Sequence, residues 1–500
     1  MNGVGLLQIM YKGTRGEKSI NSSEAIIKGI AEAGGLYIPN EFPKIDIPFS
    51  KLINYDYRQL SVYILKKYLT DFTKEEIEYC VNNAYDDKFE KGEIAPLVKV
   101  EEEFFLELYH GSTLAFKDMA LSILPYLLKT ACKKLNIKDE IVILTATSGD
   151  TGKAALQGFA NVEGTKIIVF FPEKGVSSIQ KAQMVTQQGE NTHVVGIYGN
   201  FDDAQKAVKE IFNDKEFNNL LKDKKYMLSS ANSINIGRLI PQVVYYVYSY
   251  LSMLKHGEIK EGESINVCVP TGNFGNILAA YYAKKMGLPI NKLICASNEN
   301  NVLCDFFNEG IYNKNREFKV TSSPSMDILV SSNLERLLYH ISNGDEDLVS
   351  DLMKKLNMEG KYIINESMKE KLKDFYSGFA NDKETYKIIE NTFKDNGYLM
   401  DTHTAVAYKV YKDYKNAMND NKKTIIVSTA SPFKFPRDVC KALGIDNNDL
   451  NDFQLLYRLS SFTNINIPNS IRNIENREVI HNNLCKKEEI KSEIEKFLKV

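Results

Sequence analysis

The 500-residue sequence lacks the features that would indicate a membrane protein, a secreted protein or a nucleic-acid-binding protein. Its formal net charge of -2 leaves no basic excess to attract a phosphate backbone or an anionic membrane. No apolar run approaches the roughly 20 residues of a membrane-spanning helix. The stretch MNGVGLLQIMYKGTRGEKS has neither the basic start nor the small-residue cleavage site of a signal peptide. We therefore expect a cytoplasmic protein that binds neither membranes nor nucleic acid.

Tryptophan is absent and cysteine is scarce. The lack of tryptophan, beside 28 tyrosines and 25 phenylalanines, indicates a coding bias and excludes no function. The seven cysteines form no CxxC pair, and several lie in apolar runs such as INVCVP and KLICAS, which is typical of buried, reduced thiols. His481 and Cys485 are one helical turn apart, but no further ligand accompanies them. We therefore predict that the protein has no metal site.

Hydrophobic residues make up 43% of the sequence and charged residues 26%, which is typical of a soluble globular protein with a large core. The length favours two or three packed units. We predict a helical N-terminal unit over residues 1–100, an α/β region over 101–435 and a helical tail over 436–500. Caps, glycines and apolar spacing predict helices in the first unit at 21–35, 55–69 and 73–84.

Short runs rich in β-branched residues alternate with longer helical stretches in the middle region, which is typical of buried parallel strands. The six runs are EIVILTAT (140–147), KIIVFF (166–171), NTHVVGI (191–197), SINVCVP (264–270), KLICAS (292–297) and TIIVST (424–429). They predict a mostly parallel α/β sheet, in which ligands bind at the carboxyl ends of the strands. The charged stretch at about 301–398 suggests an insertion between the last two strands. The alternating charges of 476–500 predict a solvent-exposed helix.

The first of these strands ends in a glycine-rich loop that leads into a helix. The loop consists of Ser148, Gly149, Asp150, Thr151 and Gly152. Its glycines permit tight backbone, and the helix N-terminus offers unpaired N–H groups to an anion. A P-loop is excluded, because Thr147 stands where that motif requires glycine and Ala154 where it requires serine or threonine. An ordinary strand-to-helix turn would explain the glycines but not their polar neighbours.

A second strand ends in a similar loop, made of Gly272, Asn273, Phe274, Gly275 and Asn276. Its backbone amides and the dipole of the following helix would together bind a phosphate. The loop lacks the G-x-G-x-x-G pattern and the acidic residue that holds a ribose. A compact phosphate is therefore favoured over a dinucleotide.

Two further segments carry polar residues next to predicted elements. SSANSINIGRLIPQ (229–242) contains Asn232, Ser233, Asn235 and Arg238. In one interpretation, the asparagine and serine side chains cap a helix and Arg238 is a surface cation. In the other, which is equally favoured, the amide, hydroxyl and guanidinium groups bind a second phosphate. STASPFKFP places the hydroxyl of Thr429 at the end of the last strand, from where it could reach a ligand at the centre of the sheet.

Lys117 lies in the segment HGSTLAFKDMA, between an aromatic residue and an aspartate. A lysine beside strand-end phosphate loops suggests pyridoxal phosphate (PLP) held as a Schiff base. Burial against Phe116 and its neighbours would lower the pKa of the amine, so that the free amine can attack. Considered alone, the segment would favour a lysine at the core edge that reaches to water.

In this order, the segments MYKGTRG, GIAEAGGLYIP, HGSTLAFKDMA, LTATSGDTGKAA, SANSINIGRL, PTGNFGNILA, DTHTAVAY and STASPFKFP resemble the threonine synthases of the PLP-dependent β family. The resemblance covers nearly the whole chain and is weakest at 300–398 and near the C-terminus. It implies PLP as the cofactor and the type II fold of PLP enzymes. That fold has two open, mostly parallel sheet domains with helices on both faces, the smaller one here at about 140–230, plus a helical N-terminal unit.

The resemblance also implies roles for individual segments. Lys117 matches the Schiff-base lysine, which is also the general acid and base. The loop Gly272–Asn276 matches the cradle of the cofactor phosphate, and Thr429 matches the hydroxyl that faces the pyridine nitrogen. The loop 148–152 matches the site of the substrate's amino-acid end. The polar residues of 229–242 match the segment that holds the substrate phosphate.

The implied reaction converts O-phospho-L-homoserine and water to L-threonine and phosphate, in a monomer or homodimer. Two alternatives stay open: a related lyase that releases 2-oxobutyrate, and a non-catalytic relative, against which the intact Lys117, Thr429 and Arg238 argue. The sequence departs from the family at Ser112, where proline is usual, and in STASPFKFP. There Ser431 replaces a common histidine and Phe433 a small residue, whereas His403 in DTHTAVAY matches.

Overall fold

The computed structural model describes residues 8–89, 92–147, 149–174, 176–446 and 448–500. In chain order, the described strands are β1 Tyr11–Gly13, β2 Tyr37–Pro39, β3 Leu97–Val100, β4 Glu103–Glu107, β5 Glu140–Ala146, β6 Thr165–Pro172, β7 Thr192–Tyr198, β8 Tyr226–Ser229, β9 Ile265–Pro270, β10 Ile290–Ser297, β11 Ile311–Asn313, β12 Lys361–Ile363, β13 Phe375–Phe379, β14 Thr424–Ser428 and β15 Asn483–Lys486.

The α-helices of the same residues lie before, between and after these strands. They are α1 Ser22–Lys28, α2 Phe49–Leu52, α3 Tyr57–Tyr68, α4 Lys74–Ala84, α5 Asp118–Leu121, α6 Leu124–Lys134, α7 Asp150–Phe159, α8 Ser178–Val185, α9 Phe201–Asn213, α10 Lys215–Asp223, α11 Ile236–Leu239, α12 Pro241–Lys255, α13 Gly275–Lys285, α14 Val302–Glu309, α15 Leu334–Ile341, α16 Glu346–Met358, α17 Glu366–Glu370, α18 Asp382–Asn396, α19 Thr402–Met418, α20 Pro436–Ala442, α21 Asp452–Thr463 and α22 Ile490–Leu498.

Two open sheets form the framework of the molecule. The larger has the strand order β13-β10-β9-β14-β4-β3, and the smaller has the order β15-β7-β6-β5-β8. All neighbouring pairs in both sheets are parallel except β3 and β4. The predicted fold class, with mostly parallel sheets and helices on both faces, is confirmed.

The central strands are buried on both faces, which explains their continuous apolar runs. In β10, Leu293 and Cys295 belong to one hydrophobic core, while Ile294 and Ala296 belong to another. The first core also receives the helices of the N-terminal region, and the second receives α18 to α21. All seven cysteines are buried and free, as the sequence predicts. None of the described helices is long and apolar enough to cross a membrane.

Three predictions about secondary structure are wrong. The first helix ends at Lys28 and not at Gly34–Gly35, because Gly29 takes a positive φ of 70° and stops it. The stretch 301–398 is not only an insertion, because its strand β13 pairs with β10 at the edge of the larger sheet.

The third concerns 476–500, where β15 pairs with β7 of the smaller sheet and only Ile490–Leu498 is α-helical. That helix does not lie freely in solvent, because Ile490, Ile494 and Leu498 pack into the core of the smaller sheet. Strand β3 lies in the larger sheet although the division at residue 100 assigns it to the N-terminal unit.

Arg336 of α15 connects three distant parts of the chain. Its side chain is fully buried. Nε donates a hydrogen bond to the carbonyl of Tyr37 at 2.8 Å, Nη2 to that of Ile234 at 2.6 Å, and Nη1 to Oδ1 of Asn333. Asn333 in turn donates from its backbone and its side-chain amide to the carbonyl of Asn273. The guanidinium therefore fixes the N-terminal region and two of the predicted ligand segments in one arrangement.

We predict that Arg336→Lys lowers the free energy of unfolding by at least about 2 kcal/mol, because one ammonium cannot reach three acceptors spread over a planar fork. Denaturant unfolding would measure the loss. Arg458, which is exposed, is the matched control, and Arg458→Lys should leave the midpoint unchanged. Equal effects of the two substitutions would contradict this role for Arg336.

Candidate active site

The segment that carries Lys117 pairs with the segment that follows β14. The backbone N–H of Phe116 donates to the carbonyl of Thr429 at 2.8 Å, and that of Ser431 donates to the carbonyl of Leu114 at 3.1 Å. Lys117 therefore lies next to Thr429 at the carboxyl end of the central strand of the larger sheet. The side chain of Thr429 is buried, and no described residue hydrogen-bonds to its hydroxyl.

The amine of Lys117 lies in a buried, charged environment. Its Nζ is 3.5 Å from Oδ2 of Asp150, and 16% of the side chain is exposed. Burial lowers the pKa of this amine below its ordinary value, Asp150 raises it, and the cations Lys434 and Arg238 lower it further. The net decrease favours the free amine, as the sequence predicts for a nucleophilic lysine.

Asp150 begins α7 and is the hydrogen-bonding centre of the site. Lys434 Nζ lies 2.7 Å from its Oδ1, and the Gln180 amide donates to the same oxygen at 2.7 Å. Ser325 Oγ donates to Oδ2 at 3.0 Å. Burial would raise the pKa of this carboxyl, but Lys434, Lys117 and the hydrogen bonds outweigh it and hold the pKa well below its usual range.

Lys434, Gln180 and Ser325 are residues that the sequence analysis did not identify. Lys434 is almost completely buried and also donates to the carbonyl of Thr113 at 2.7 Å. A weak signal existed for this lysine, because it lies in the apolar strand-end segment STASPFKFP. Gln180 and Ser325 stand in segments without any pattern that indicates a ligand. Ser148 lies outside the described residues.

The rest of the 148–152 loop is held by a neighbouring threonine. The backbone N–H groups of Gly149 and Gly152 both donate to the hydroxyl of Thr147 at 3.0 Å. Gly149 has φ 151°, and a Cβ there would lie 2.5 Å from the Gln180 amide nitrogen. The positive φ, which other residues rarely adopt, thus explains why this position is glycine. The helix that follows this loop begins at Asp150.

The loop between β9 and α13 has the form of a phosphate cradle. Phe274 adopts a left-handed conformation with φ 64°, and α13 begins immediately after it. Oδ1 of Asn276 accepts hydrogen bonds from the hydroxyls of Tyr245 and Tyr246, whereas its Nδ2 is buried without a partner among the described residues. A Cβ at Gly272 would lie 2.7 Å from the Ser325 carbonyl oxygen. A buried, unpaired N–H donor at a helix N-terminus fits an anionic group such as a phosphate.

Arg238 is a second sign of an anionic ligand. Its guanidinium is buried, Nη1 donates to the Ala231 carbonyl at 2.8 Å, and Nε has no hydrogen-bond partner among the described residues. No carboxylate of the described residues forms an ion pair with it, and burial lowers its pKa to about 10. A buried charge without a counter-ion is costly, so an anion bound here would be stabilised.

The other polar residues of this segment are placed differently. Asn235 caps α11 by accepting from the Gly237 N–H at 2.8 Å, and its Nδ2 donates to the Ile26 carbonyl at 2.9 Å. Its side chain thus orients the segment, with one of the two amide hydrogens taken by the Ile26 carbonyl. Asn232 is exposed and Ser233 is partly exposed, so both can reach a ligand that enters from solvent.

Comparison with known proteins decides the family. The model "Threonine synthase N terminus" matches residues 10–85, "Pyridoxal-phosphate dependent enzyme" matches 93–430, and "Threonine synthase, C-terminal" matches 404–487. The chain belongs to the threonine synthase family of PLP-dependent enzymes. Its cofactor is pyridoxal phosphate.

Individual relatives agree with this assignment. Threonine synthase of Saccharomyces cerevisiae is 36% identical over 87% of this chain and 89% of its own. Human threonine synthase-like 1 is 40% identical over 88% of this chain, which spans only 60% of that relative's length. The solved PLP-bound threonine synthase from Brucella melitensis superposes with a TM-score of 0.88 at 33% identity, over 99% of this chain and all of the other.

We predict that Lys434→Met lowers the free energy of unfolding by about 3–5 kcal/mol at pH 7, because it removes one partner of a buried ion pair. Asp150→Asn combined with Lys434→Met should cost less than Lys434→Met alone, since both charges are then gone. Lys129→Met, which breaks an exposed pair with Glu163, is the control and should have little effect.

The stability difference between the protein and Lys434→Met should also depend on pH. The folded-state pKa of Asp150 is depressed, so its contribution to stability is present above the unfolded pKa of about 3.9 and is lost as pH falls through the folded value. The stability difference between the protein and Lys434→Met should therefore shrink below about pH 4. Urea unfolding at several pH values would measure it, and a difference that is constant down to pH 3 would contradict the role of Asp150.

Proposed function

We propose that the chain converts O-phospho-L-homoserine and water to L-threonine and phosphate. The observation that carries the proposal is the buried guanidinium of Arg238, which has no ion-pair partner among the described residues and lies near the amine of Lys117. A substrate with a phosphate at one end and an amino acid at the other would supply the missing counter-ion while it presents its α-carbon to the lysine. The similarity to threonine synthases supports this choice of substrate.

Two sets of residues would hold the cofactor and the substrate. The loop Gly272–Asn276 would bind the cofactor phosphate, and the hydroxyl of Thr429 would face the ring nitrogen. When bound, PLP withdraws electrons from the α-carbon and makes its hydrogen acidic. The backbone N–H groups of Asp150 and Thr151, at the start of α7, would receive the substrate carboxylate in the loop 148–152, and Arg238 with Asn232 and Ser233 would bind its phosphate.

Lys117 is the proposed general acid and base. Burial lowers the pKa of its amine and so favours the free base, which would accept the proton that leaves the α-carbon and later return it. Arg238 would stabilise the phosphate as it leaves and hold it near the site. Asn235 keeps this segment in place through α11 and the Ile26 carbonyl. We also propose, from the resemblance alone, a cytoplasmic enzyme that is a monomer or homodimer.

We expect the purified protein, supplied with PLP and O-phospho-L-homoserine, to release threonine and phosphate in equal amounts. Lys117→Ala should abolish both products, because Lys117 is the group proposed to move the α-proton. Phosphate together with 2-oxobutyrate would instead indicate a lyase. No turnover that depends on Lys117 would indicate a non-catalytic relative.

We expect Arg238→Gln to raise KM for O-phospho-L-homoserine about 10- to 100-fold, which corresponds to the loss of a charge-assisted hydrogen bond of about 1.5–3 kcal/mol. Steady-state kinetics and inhibition by inorganic phosphate would measure the change. Arg458→Gln on the surface is the matched control. An unchanged KM and an unchanged phosphate inhibition constant would place the substrate phosphate elsewhere.

A further inference from the structure

A loop within the 301–398 stretch forms one wall of the active site. Its short 3-10 helix, Pro324–Met326, brings the carbonyl of Ser325 against Gly272 of the phosphate cradle. The loop is fixed from behind, because Thr402 donates to the carbonyl of Ser322 at 2.7 Å and the hydroxyl of Ser322 donates to Asp382 at 2.7 Å. Ser325 is therefore held in a defined place beside the site.

Ser325 makes two hydrogen bonds in different directions. Its backbone N–H donates to Nε2 of His403 at 3.1 Å, and its hydroxyl donates to Oδ2 of Asp150 at 3.0 Å. Nδ1 of His403 lies 2.6 Å from Oδ2 of Asp401. Because the carboxylate accepts from Nδ1–H, Nε2 is the nitrogen without a hydrogen and accepts from Ser325. The pair Asp401–His403 thus orients the serine.

The two oxygens of Asp150 have different partners. Oδ1 is fixed by Lys434 and Gln180, each at 2.7 Å. Oδ2 is shared between the hydroxyl of Ser325 at 3.0 Å and the amine of Lys117 at 3.5 Å. An unhindered ammonium and carboxylate approach each other to about 2.7–2.9 Å. The longer separation at Lys117 coincides with the presence of the competing hydroxyl.

We propose that Ser325 is a positioning residue that occupies Oδ2 of Asp150 and so prevents Asp150 from closing on Lys117 as a tight ion pair. Asp150 then orients the lysine without immobilising its proton. The inference rests on the proposed role of Lys117 as the reactive lysine. It gives the 301–398 stretch a part in the chemistry of the site.

The consequence for Lys117 follows from the charges that face it. These are Asp150 of α7, Lys434 after β14 and Arg238 of α11. Without the Ser325 hydroxyl, Oδ2 is free to approach Nζ, while the two cations stay where they are. The ammonium form of Lys117 gains stability, the pKa of the amine rises, and less free amine is present at neutral pH.

The test is a titration of Lys117 in the cofactor-free protein by acetic anhydride at a series of pH values, with acetylation of Lys117 quantified by mass spectrometry. Ser325→Ala should move the midpoint upward by about one pH unit, which is a tenfold smaller fraction of free amine at pH 7. Ser325→Thr keeps the hydroxyl and should restore the original midpoint. Ser342→Ala, a serine whose hydroxyl bonds the Tyr339 carbonyl far from Asp150, is the matched control.

Ser325→Cys is nearly isosteric and a poor donor, so it should shift the midpoint in the same direction and serves if Ser325→Ala does not fold. A midpoint that is unchanged or lower in the variants without the hydroxyl would overturn the proposal. The titration requires neither PLP nor O-phospho-L-homoserine. The result is therefore independent of the proposed function: a chain that forms no threonine can still show the shift in the midpoint, and an active enzyme can fail to show it.

Discussion

The structure of the site depends on the burial of one carboxylate, that of Asp150. A carboxylate away from water is stable only when it is paired and fully hydrogen-bonded. Its partners come from four separate segments: Lys117 before α5, Gln180 on α8, Ser325 in the 301–398 stretch and Lys434 after β14. The stretch 301–398 and elements of both sheets must all be in place before this charge is satisfied. The site around Asp150 can therefore form only when the rest of the fold is complete.

The balance of charge around Asp150 prepares the site for anions. Lys117 and Lys434 pair with this one carboxylate, while Arg238 lies near Lys117 and has no ion-pair partner among the described residues. Such an excess of buried positive charge is costly while the site is empty and is compensated when anionic groups enter. The cofactor and the proposed substrate each bring a phosphate. The same excess of positive charge that weakens the isolated protein would therefore favour the binding of the anionic cofactor and of the proposed substrate.

Local patterns were sufficient for the parts of the site that follow strands. The loops after β5 and β9 and Thr429 after β14 could be proposed because apolar runs mark buried strands and ligands bind at their ends. Lys117 follows no predicted strand and was proposed from its neighbours in HGSTLAFKDMA and from the family resemblance. Ser325 was not, because its partner Asp150 is 175 residues away. β13 and β15 were missed for a related reason: both lie at sheet edges, where partial exposure replaces the continuous apolar pattern.

The N-terminal region is tied to the catalytic centre by the same kind of long-range contact. Glu335 pairs with Arg15 at 2.7 Å and accepts from Thr14, and the next residue, Arg336, bonds the Tyr37 carbonyl. Through Asn333, this guanidinium also supports the carbonyl of Asn273 in the phosphate cradle. A displacement of β2 relative to α15 would therefore deprive Arg336 of an acceptor and loosen the loop that is proposed to hold the cofactor phosphate. The N-terminal region thus fixes the geometry of a loop that it does not itself contain.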